Sequence, residues 1–238
     1  MSIIKSNAVA PPPASGGSLS SISEMNSLRF DGSSYLGKTY SSSAPTLSTY
    51  TFSLWVKLST LFQDNNLLSF KTTGSNGNES GSFRIDPANK LTVYYQPTTT
   101  QSAEVFRDTS SWYHFVFSTN SNVYINGQSI NNSVSMPPIV LSHHTSSVEG
   151  NPNASLKLGD WWPRNNTNNY PLSGYLANIH FVDGQALDAN SFGGTVSDIW
   201  VPKAYSGTYG TNGFHLDFAD ANNIGNDVSG RGNHWTAN

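Results

Sequence analysis

Short runs of alternating hydrophobic and polar residues dominate the chain from Ser27 onward, and clusters of Gly, Pro, Asn or Ser separate them. Such period-two alternation predicts half-buried β-strands. The clearest predicted strands are Leu28–Phe30, Tyr50–Leu58, Leu67–Phe70, Ser82–Ile85, Lys90–Tyr95, Trp112–Thr119, Asn122–Ile125, Ser155–Leu158, Gly174–Val182 and Gly213–Phe218. About ten short strands joined by turns are typical of an all-β sandwich or barrel.

The run Tyr50–Leu58 has the clearest alternation. One face carries Phe52, Leu54, Val56 and Leu58. Trp55 projects from the other face, together with Ser53 and Lys57. A strand with large apolar side chains on both faces predicts a central place in its sheet.

Two dipeptides predict turns. Asn126-Gly127 lies between two short β-type runs and is a strong hairpin signal, because both residues tolerate a positive φ. Asp183-Gly184 resembles it, but the residues that follow could instead form a short helical turn.

The two ends of the chain differ in composition from the predicted domain at residues 25–190. Residues 1–24 are rich in Ser, Pro, Gly and Ala, which predicts an extended arm. We interpret this arm either as a disordered terminus or as an anchor, with Ile3, Ile4, Pro11, Pro12 and Pro13 as its candidate contact residues. Residues 191–238 are too few to fold alone, and we expect them to dock on the main body.

Composition narrows the function classes. Charged residues make up 11% of the chain, and its 12 basic and 15 acidic residues are scattered, so we predict no nucleic-acid partner. The chain has no cysteine, which excludes disulfides, thiol catalysis and thiolate zinc sites. It has no run of 18 apolar residues and no secretory h-region, so we expect neither a membrane span nor export.

Candidate catalytic groups do not form a recognisable set. The glutamates Glu24, Glu79, Glu104 and Glu149 are isolated, whereas glycoside hydrolysis needs a pair of carboxyl groups across the scissile bond. Asp217 and Asp220 are spaced for turn and cap hydrogen bonds. No nucleophile elbow or phosphate-binding loop occurs, and we predict that the protein is not an enzyme.

Metal binding is restricted to calcium by the same reasoning. His143-His144 has the context of a surface pair and lacks transition-metal spacing. Calcium needs only oxygen ligands, and Asp64, Glu79 and Asp160 are candidates, although they equally suit ordinary solvated turns. We expect no other cofactor.

The segment from Gly159 to Tyr170 concentrates the candidate binding residues. These are Asp160, Trp161, Trp162, Arg164, Asn165 and Tyr170. Aromatic faces beside amides and acids suit sugar recognition, in which rings stack on C–H groups and polar groups bind hydroxyls. Tryptophan and tyrosine also pack sheet edges and subunit interfaces, so both interpretations stay open.

Four segments resemble the laminin-G-like branch of the concanavalin A-like lectin/glucanase superfamily. They are Leu28–Leu36, Thr51–Lys57, Trp112–Phe117 leading to Tyr124–Gly127, and Gly174–Phe181. The resemblance implies a two-sheet antiparallel jelly-roll sandwich. The acidic triplet of the glucanase relatives is missing, which implies binding without hydrolysis.

Three later segments are similar to phrases in structural proteins of tailed phages, particularly marine ones: Phe181–Leu187, Gly213–Asp220 and Gly230–Thr236. The similarity implies a capsid decoration, fibre or tail appendage protein, made in the host cytoplasm and displayed on the virion surface. Its expected partners are other virion proteins through the arm, host-surface glycans and further copies of itself, for which a trimer is plausible. The alternative is a calcium-assisted lectin or adhesin module of a secreted cellular protein.

Overall fold

The computed structural model contains two large antiparallel β-sheets. It describes residues 25–72, 80–95, 98–120, 122–130, 136–142, 155–161 and 170–238, and the backbone of 5–8. The strands are numbered along the chain. The first sheet contains β1 (Lys5–Ala8), β2 (Met25–Asp31), β5 (Tyr50–Leu58), β10 (Tyr113–Ser118), β11 (Asn122–Ile125), β12 (Gln128–Ile130), β15 (Ser173–Asp183) and β18 (Phe214–Leu216). The second contains β3 (Leu36–Lys38), β4 (Thr46–Leu47), β6 (Asn65–Lys71), β7 (Ser80–Ile85), β8 (Leu91–Tyr95), β9 (Thr98–Gln101), β13 (Ile139–Val140), β14 (Leu156–Leu158) and β19 (Thr236–Ala237).

The strand order confirms the predicted jelly-roll sandwich. In the first sheet the strands follow one another as β1-β2-β15-β5-β10-β11-β12, and β18 pairs with the far end of the long strand β15. In the second sheet the order is β19-β3-β14-β6-β7-β8-β9, with β13 pairing β4 and β6. The strand β5 lies in the middle of its sheet, as its alternation predicted. Each of the ten predicted strands coincides with an observed strand.

The hydrophobic core lies between the two sheets and is rich in phenylalanine. Phe83 of β7 stacks on Phe117 of β10, with ring centroids 4.0 Å apart and an interplanar angle of 5°. Phe52 and Phe70 flank this stack at 6.0 and 4.9 Å from Phe83. These side chains are fully buried, so the inner faces of both sheets interlock at the centre of the domain.

The predicted hairpin is present. Asn126 and Gly127 have φ values of 47° and 83°, and Ile125 pairs with Gln128 across the turn. Two successive positive φ values make a turn whose twist matches that of the paired strands. After Asp183-Gly184 the chain forms a short 3₁₀ helix at Ala189–Ser191, which is the helical alternative.

The C-terminal part of the chain packs on both sheets. A separate hairpin of β16 (Gly193–Val196) and β17 (Ile199–Pro202) lies against the outer face of the first sheet, where the Trp200 indole donates a hydrogen bond to His114. Trp235 is 4% exposed and packs edge-on against Phe214, and β19 then pairs with β3. No helix among the described residues has the length and hydropathy needed to span a membrane.

Candidate functional site

A polar surface covers the outer face of the second sheet. On β7 and β8 the side chains alternate, so that Phe83, Ile85, Leu91 and Val93 enter the core. Their neighbours point the other way and, with two residues of β6, form what we call the Arg84 face: Asn66, Ser69, Ser82, Arg84, Thr92 and Tyr94. Several of these polar side chains are buried although they lie outside the core, which indicates that the chain folds over them.

Arg84 lies at the centre of this face. Its Nε is 3.3 Å from Oδ1 of Asp64. Three aromatic rings surround its guanidinium carbon, with centroids at 5.3 Å for Tyr94 and 6.0 Å for both Trp161 and Tyr170. Cations favour the faces of aromatic rings at such distances. The arginine therefore holds together segments that are far apart in the sequence.

Asp160 fastens the segment after β14 to the sheet. Its carbonyl accepts a 2.5 Å hydrogen bond from Ser69 Oγ, and its Oδ1 accepts one of 2.8 Å from the backbone N–H of Trp161. Its Oδ2 lies 3.8 Å from Nζ of Lys157, which in turn sits 4.5 Å above the ring of Tyr35. Burial raises the pKa of Asp160 and lowers that of Lys157, while their mutual attraction opposes both shifts.

Unsatisfied polar atoms lie beside Arg84. The side-chain nitrogen and oxygen of Asn66 and the hydroxyl of Ser82 are buried and have no hydrogen-bond partner. Asn66 is paired directly with Arg84 across β6 and β7, and Ser82 is paired with Ser69. A buried polar group without a partner costs about 1–3 kcal/mol, so these atoms favour any hydroxyl or water that can reach them.

The family model described as the concanavalin A-like lectin/glucanases superfamily matches residues 30–191. The chain belongs to this superfamily. Its match spans the strands from β2 to β15 and includes both the Arg84 face and the Gly159–Tyr170 segment. No curated protein sequence matches the chain.

Solved structures are similar to the chain at low sequence identity. A candidate carbohydrate binding protein from Bacteroides ovatus superposes with a TM-score of 0.60 at 15% identity, over 92% of this chain and 58% of its own. The chain thus spans about three fifths of that protein. Domain 4 of an extracellular arabinanase from Geobacillus stearothermophilus, in complex with arabinotriose, gives 0.46 at 20% identity, over 73% and 74% of the two chains. A sialidase CBM40 from Ruminococcus gnavus gives a TM-score of 0.42 at 16% identity, over 64% of this chain and 90% of its own.

The structure describes only part of the predicted binding segment of this chain. Asp160, Trp161 and Tyr170 meet on the Arg84 face, whereas Trp162, Arg164 and Asn165 lie outside the described residues. Trp161 is 8% exposed and packs against Tyr94 and Tyr170 with centroids 5.4 and 6.3 Å apart. Its ring therefore forms part of the packed wall, and Tyr94 and Tyr170 are the more accessible rings. The arm residues Ile3, Ile4, Pro11, Pro12 and Pro13 also lie outside the described part.

Sequence reasoning missed Asn66, Ser82, Arg84 and Tyr94. The available signal was the outward face of β7 and β8, where a single arginine and a tyrosine interrupt a row of small hydroxyl side chains. Alternation alone does not distinguish such a face from an ordinary solvated one.

The candidate calcium ligands are held by other groups where they are described. Asp64 pairs with Arg84 and Asp160 with Lys157, while Glu79 and the His143-His144 pair lie outside the described residues. Within the described part of the chain, no three or more His, Asp or Glu side chains are clustered to bind a metal ion.

The acids at the end of β18 act in turns, as their spacing predicted. Oδ1 of Asp217 accepts the backbone N–H of Ala219, and Oδ1 of Asp220 accepts that of Asn222. Both contacts close local turns of the backbone.

One contact has the composition of a nucleophile and its base. Ser53 Oγ lies 2.8 Å from Nε2 of His114, and both residues are fully buried. The Trp200 indole, which can only donate, points at Nδ1 of His114 at 2.9 Å. The proton of the neutral ring must then be on Nε2, which donates to Ser53. The imidazole has no lone pair directed at the hydroxyl and cannot act as its base.

Proposed function

We propose that this domain binds neutral glycans on the Arg84 face and does not hydrolyse them. The observation that carries the proposal is the group of three aromatic rings, Tyr94, Trp161 and Tyr170, around Arg84. A sugar offers its C–H faces to the partly exposed rings of Tyr94 and Tyr170.

The charges of the face favour a neutral ligand over an acidic one. Two cations among the described residues of this region have carboxylate partners, since Arg84 pairs with Asp64 and Lys157 with Asp160. An anionic sugar would compete with these partners and would leave a buried carboxylate unpaired, which is costly. A neutral glycan leaves both ion pairs intact.

The same pairing argues for adhesion without catalysis. Burial raises the pKa of Asp64 and of Asp160, as a general acid requires. Each carboxyl is nevertheless occupied by a cation, and a retaining or inverting hydrolase needs two carboxyl groups free to face one glycosidic bond.

The binding proposal is tested by removing the two accessible rings. Tyr94→Ala and Tyr170→Ala are compared with Tyr175→Ala, a partly buried tyrosine on the opposite sheet. On an array of neutral and acidic oligosaccharides, followed by calorimetry, each site variant should weaken binding of neutral oligosaccharides about fivefold or more, since stacking on one ring is worth about 1 kcal/mol or more. The Tyr175 variant should bind like the parent.

Binding that survives the double substitution at Tyr94 and Tyr170 would refute the site. A preference for acidic oligosaccharides would refute the neutral ligand class. Release of reducing ends from any bound polysaccharide would overturn the adhesion role. Repeating the calorimetry with a chelator tests calcium assistance, because loss of binding would favour the calcium-dependent lectin alternative.

We further propose that the domain is displayed on a phage particle, as a capsid decoration, fibre or tail appendage protein attached through residues 1–24. The similarity of Phe181–Leu187, Gly213–Asp220 and Gly230–Thr236 to phage structural proteins supports this role. The antiparallel pairing of Lys5–Ala8 with β2 supports an arm that adds a strand at a sheet edge. Repeated display, for example in a trimer, would let weak glycan sites act together.

Particle display predicts that the protein copurifies with virions and is visible on their surface by immuno-electron microscopy. Deletion of residues 1–24 should leave the domain folded and abolish its attachment to particles. Absence from purified virions, or attachment without the arm, would refute the respective parts of this proposal.

A further inference from the structure

A second buried layer lies on the outer face of the first sheet, separate from the core between the sheets. Residues 187–209, which we call the cap, cover the middle of β5, β10 and β15. The buried members of this layer are Val116, Val182, Ala189, Phe192 and Tyr209, with Leu187, Trp200 and Tyr205 packed around them. The cap supplies no strand to either large sheet, since β16 and β17 pair only with each other.

Three histidines form the floor under the cap. His180 of β15 is paired with Ser53 on one side and with His215 of β18 on the other, and His114 of β10 is paired with Trp55. The rings of His180 and His215 are stacked with centroids 4.0 Å apart. His114 and His180 are at most 1% exposed, so only movement of the cap can bring water to them.

The hydrogen bonds of this floor suit neutral rings. His180 Nδ1 is 2.8 Å from the Tyr209 hydroxyl, while its Nε2 is buried and has no partner. The two nitrogens of His114 are used by Ser53 and Trp200. His215 Nε2 is 2.8 Å from Oδ1 of Asn178. Nothing in these contacts offers a negative charge to an added proton on His180 or His114.

The other titratable groups around the floor do not supply a negative charge that would stabilise an added proton on His114 or His180. His180 stacks on His215 of β18 and contacts Tyr205 and Tyr209 of the cap, and it is within electrostatic range of His114, which lies two strands away on β10. The nearest carboxylates, Asp217 and Asp227, act on His215, whose backbone N–H donates to Asp227. Burial lowers the pKa of all three histidines, for His114 to about 3.

We propose that the cap is an acid-sensitive flap, which opens on the histidine floor at mildly acidic pH while the sandwich beneath it stays folded. The opening is local because the cap is fixed at its two ends by β15 and β18, and because Phe214 and Leu216 of β18 belong to the main core. Opening exposes Trp55, His114 and His180 as a new aromatic and cationic surface. This inference does not depend on glycan binding.

The direction in which pH changes the opening equilibrium follows from the lowered pKa values of the histidines. When the cap is open, each histidine binds a proton with its ordinary pKa of about 6.5. In the closed state burial lowers that pKa, so the histidine stays neutral at mildly acidic pH. Below that pH each such histidine favours opening about tenfold per pH unit, so His114 and His180 together favour it about 100-fold per unit. Because each histidine of the open state is already half protonated at pH 6.5, the opening constant should rise about 16-fold per histidine between pH 6.5 and pH 5, or about 250-fold for the two together.

Hydrogen exchange of the parent protein, followed by mass spectrometry and corrected for intrinsic rates, tests the flap. Protection of peptides within residues 187–209 should fall about 250-fold between pH 6.5 and pH 5. Peptides from the middle of β5 and β10 should keep their protection. Equal loss in cap and strands, or a cap unaffected by pH, would overturn the proposal.

The histidines are then assigned by substitution. His180→Phe retains a ring against His215 and removes one titrating group, so the change in cap protection between pH 6.5 and pH 5 should fall from about 250-fold to about 16-fold. His114→Gln provides a second test should His180→Phe not fold. His234→Gln, which changes an exposed histidine outside the floor, is the control and should keep the parent's slope. An unchanged slope in both His180→Phe and His114→Gln would also refute the flap.

Discussion

The stack of Phe83 on Phe117 offers the sharpest test of how the two sheets meet. Phe83 belongs to the second sheet and Phe117 to the first, and their rings are nearly parallel at 4.0 Å. Both are fully buried. Because the two strands belong to different sheets, the contact exists only if the sheets face each other in the observed register.

The expected magnitudes follow from burial and from the stacking itself. Phe83→Ala should lower the free energy of unfolding by about 3–5 kcal/mol, which is the range for phenylalanine truncation in a rigid core. Phe83→Leu keeps most of the apolar volume and should cost about 1–2 kcal/mol. In the double variant with Phe117→Leu, a coupling of about 0.5–1.5 kcal/mol should remain, because only one stack can be lost.

Urea denaturation followed by far-UV circular dichroism measures these differences. With a slope of about 2 kcal/mol per molar urea, Phe83→Ala should shift the midpoint down by about 2 M. Phe214→Leu provides the control, because its ring packs against Phe181 and Trp235, and its effect should add to that of Phe83→Leu. A coupling near zero between Phe83 and Phe117, with a cost below about 1 kcal/mol for Phe83→Ala, would show that the sheets do not pack through this stack.

Three further predictions test the outer layer and a loop, each by urea denaturation. Gly127→Ala should destabilise by about 2–4 kcal/mol, because φ is +83° and the new methyl group would lie 2.5 Å from the Trp200 ring, whereas Gly184→Ala, at φ +82° in open space, should cost only about 1–2 kcal/mol; equal effects would contradict the packing of Trp200. Trp200→Phe removes the donor to the buried Nδ1 of His114 and should cost about 1–3 kcal/mol, and a neutral effect would argue against that hydrogen bond. Asp86→Ala removes a buried carboxylate that accepts four hydrogen bonds and should lower the free energy of unfolding by about 3 kcal/mol. A loss below about 0.5 kcal/mol would be inconsistent with that network.

Several elements could be predicted from the sequence because their causes are local. The alternation in Tyr50–Leu58 requires only that one face be buried, and it identified the inward residues of β5. Asn126-Gly127 determined its turn because both residues accept a positive φ, whatever surrounds them. The sandwich, and with it the superfamily, follows from the repetition of such signals along the chain.

The sites were decided by the tertiary structure, because their residues come from distant parts of the chain. Trp55 reads as an outward residue of β5, yet it is 4% exposed because His114 stacks on it and the cap covers that face. Arg84 acquires its ion pair and its aromatic surroundings only where Asp64, Trp161 and Tyr170 lie beside it. Alternation tells which side of a strand a residue faces. Which segment covers that side depends on connections between distant parts of the chain, and no local pattern encodes them.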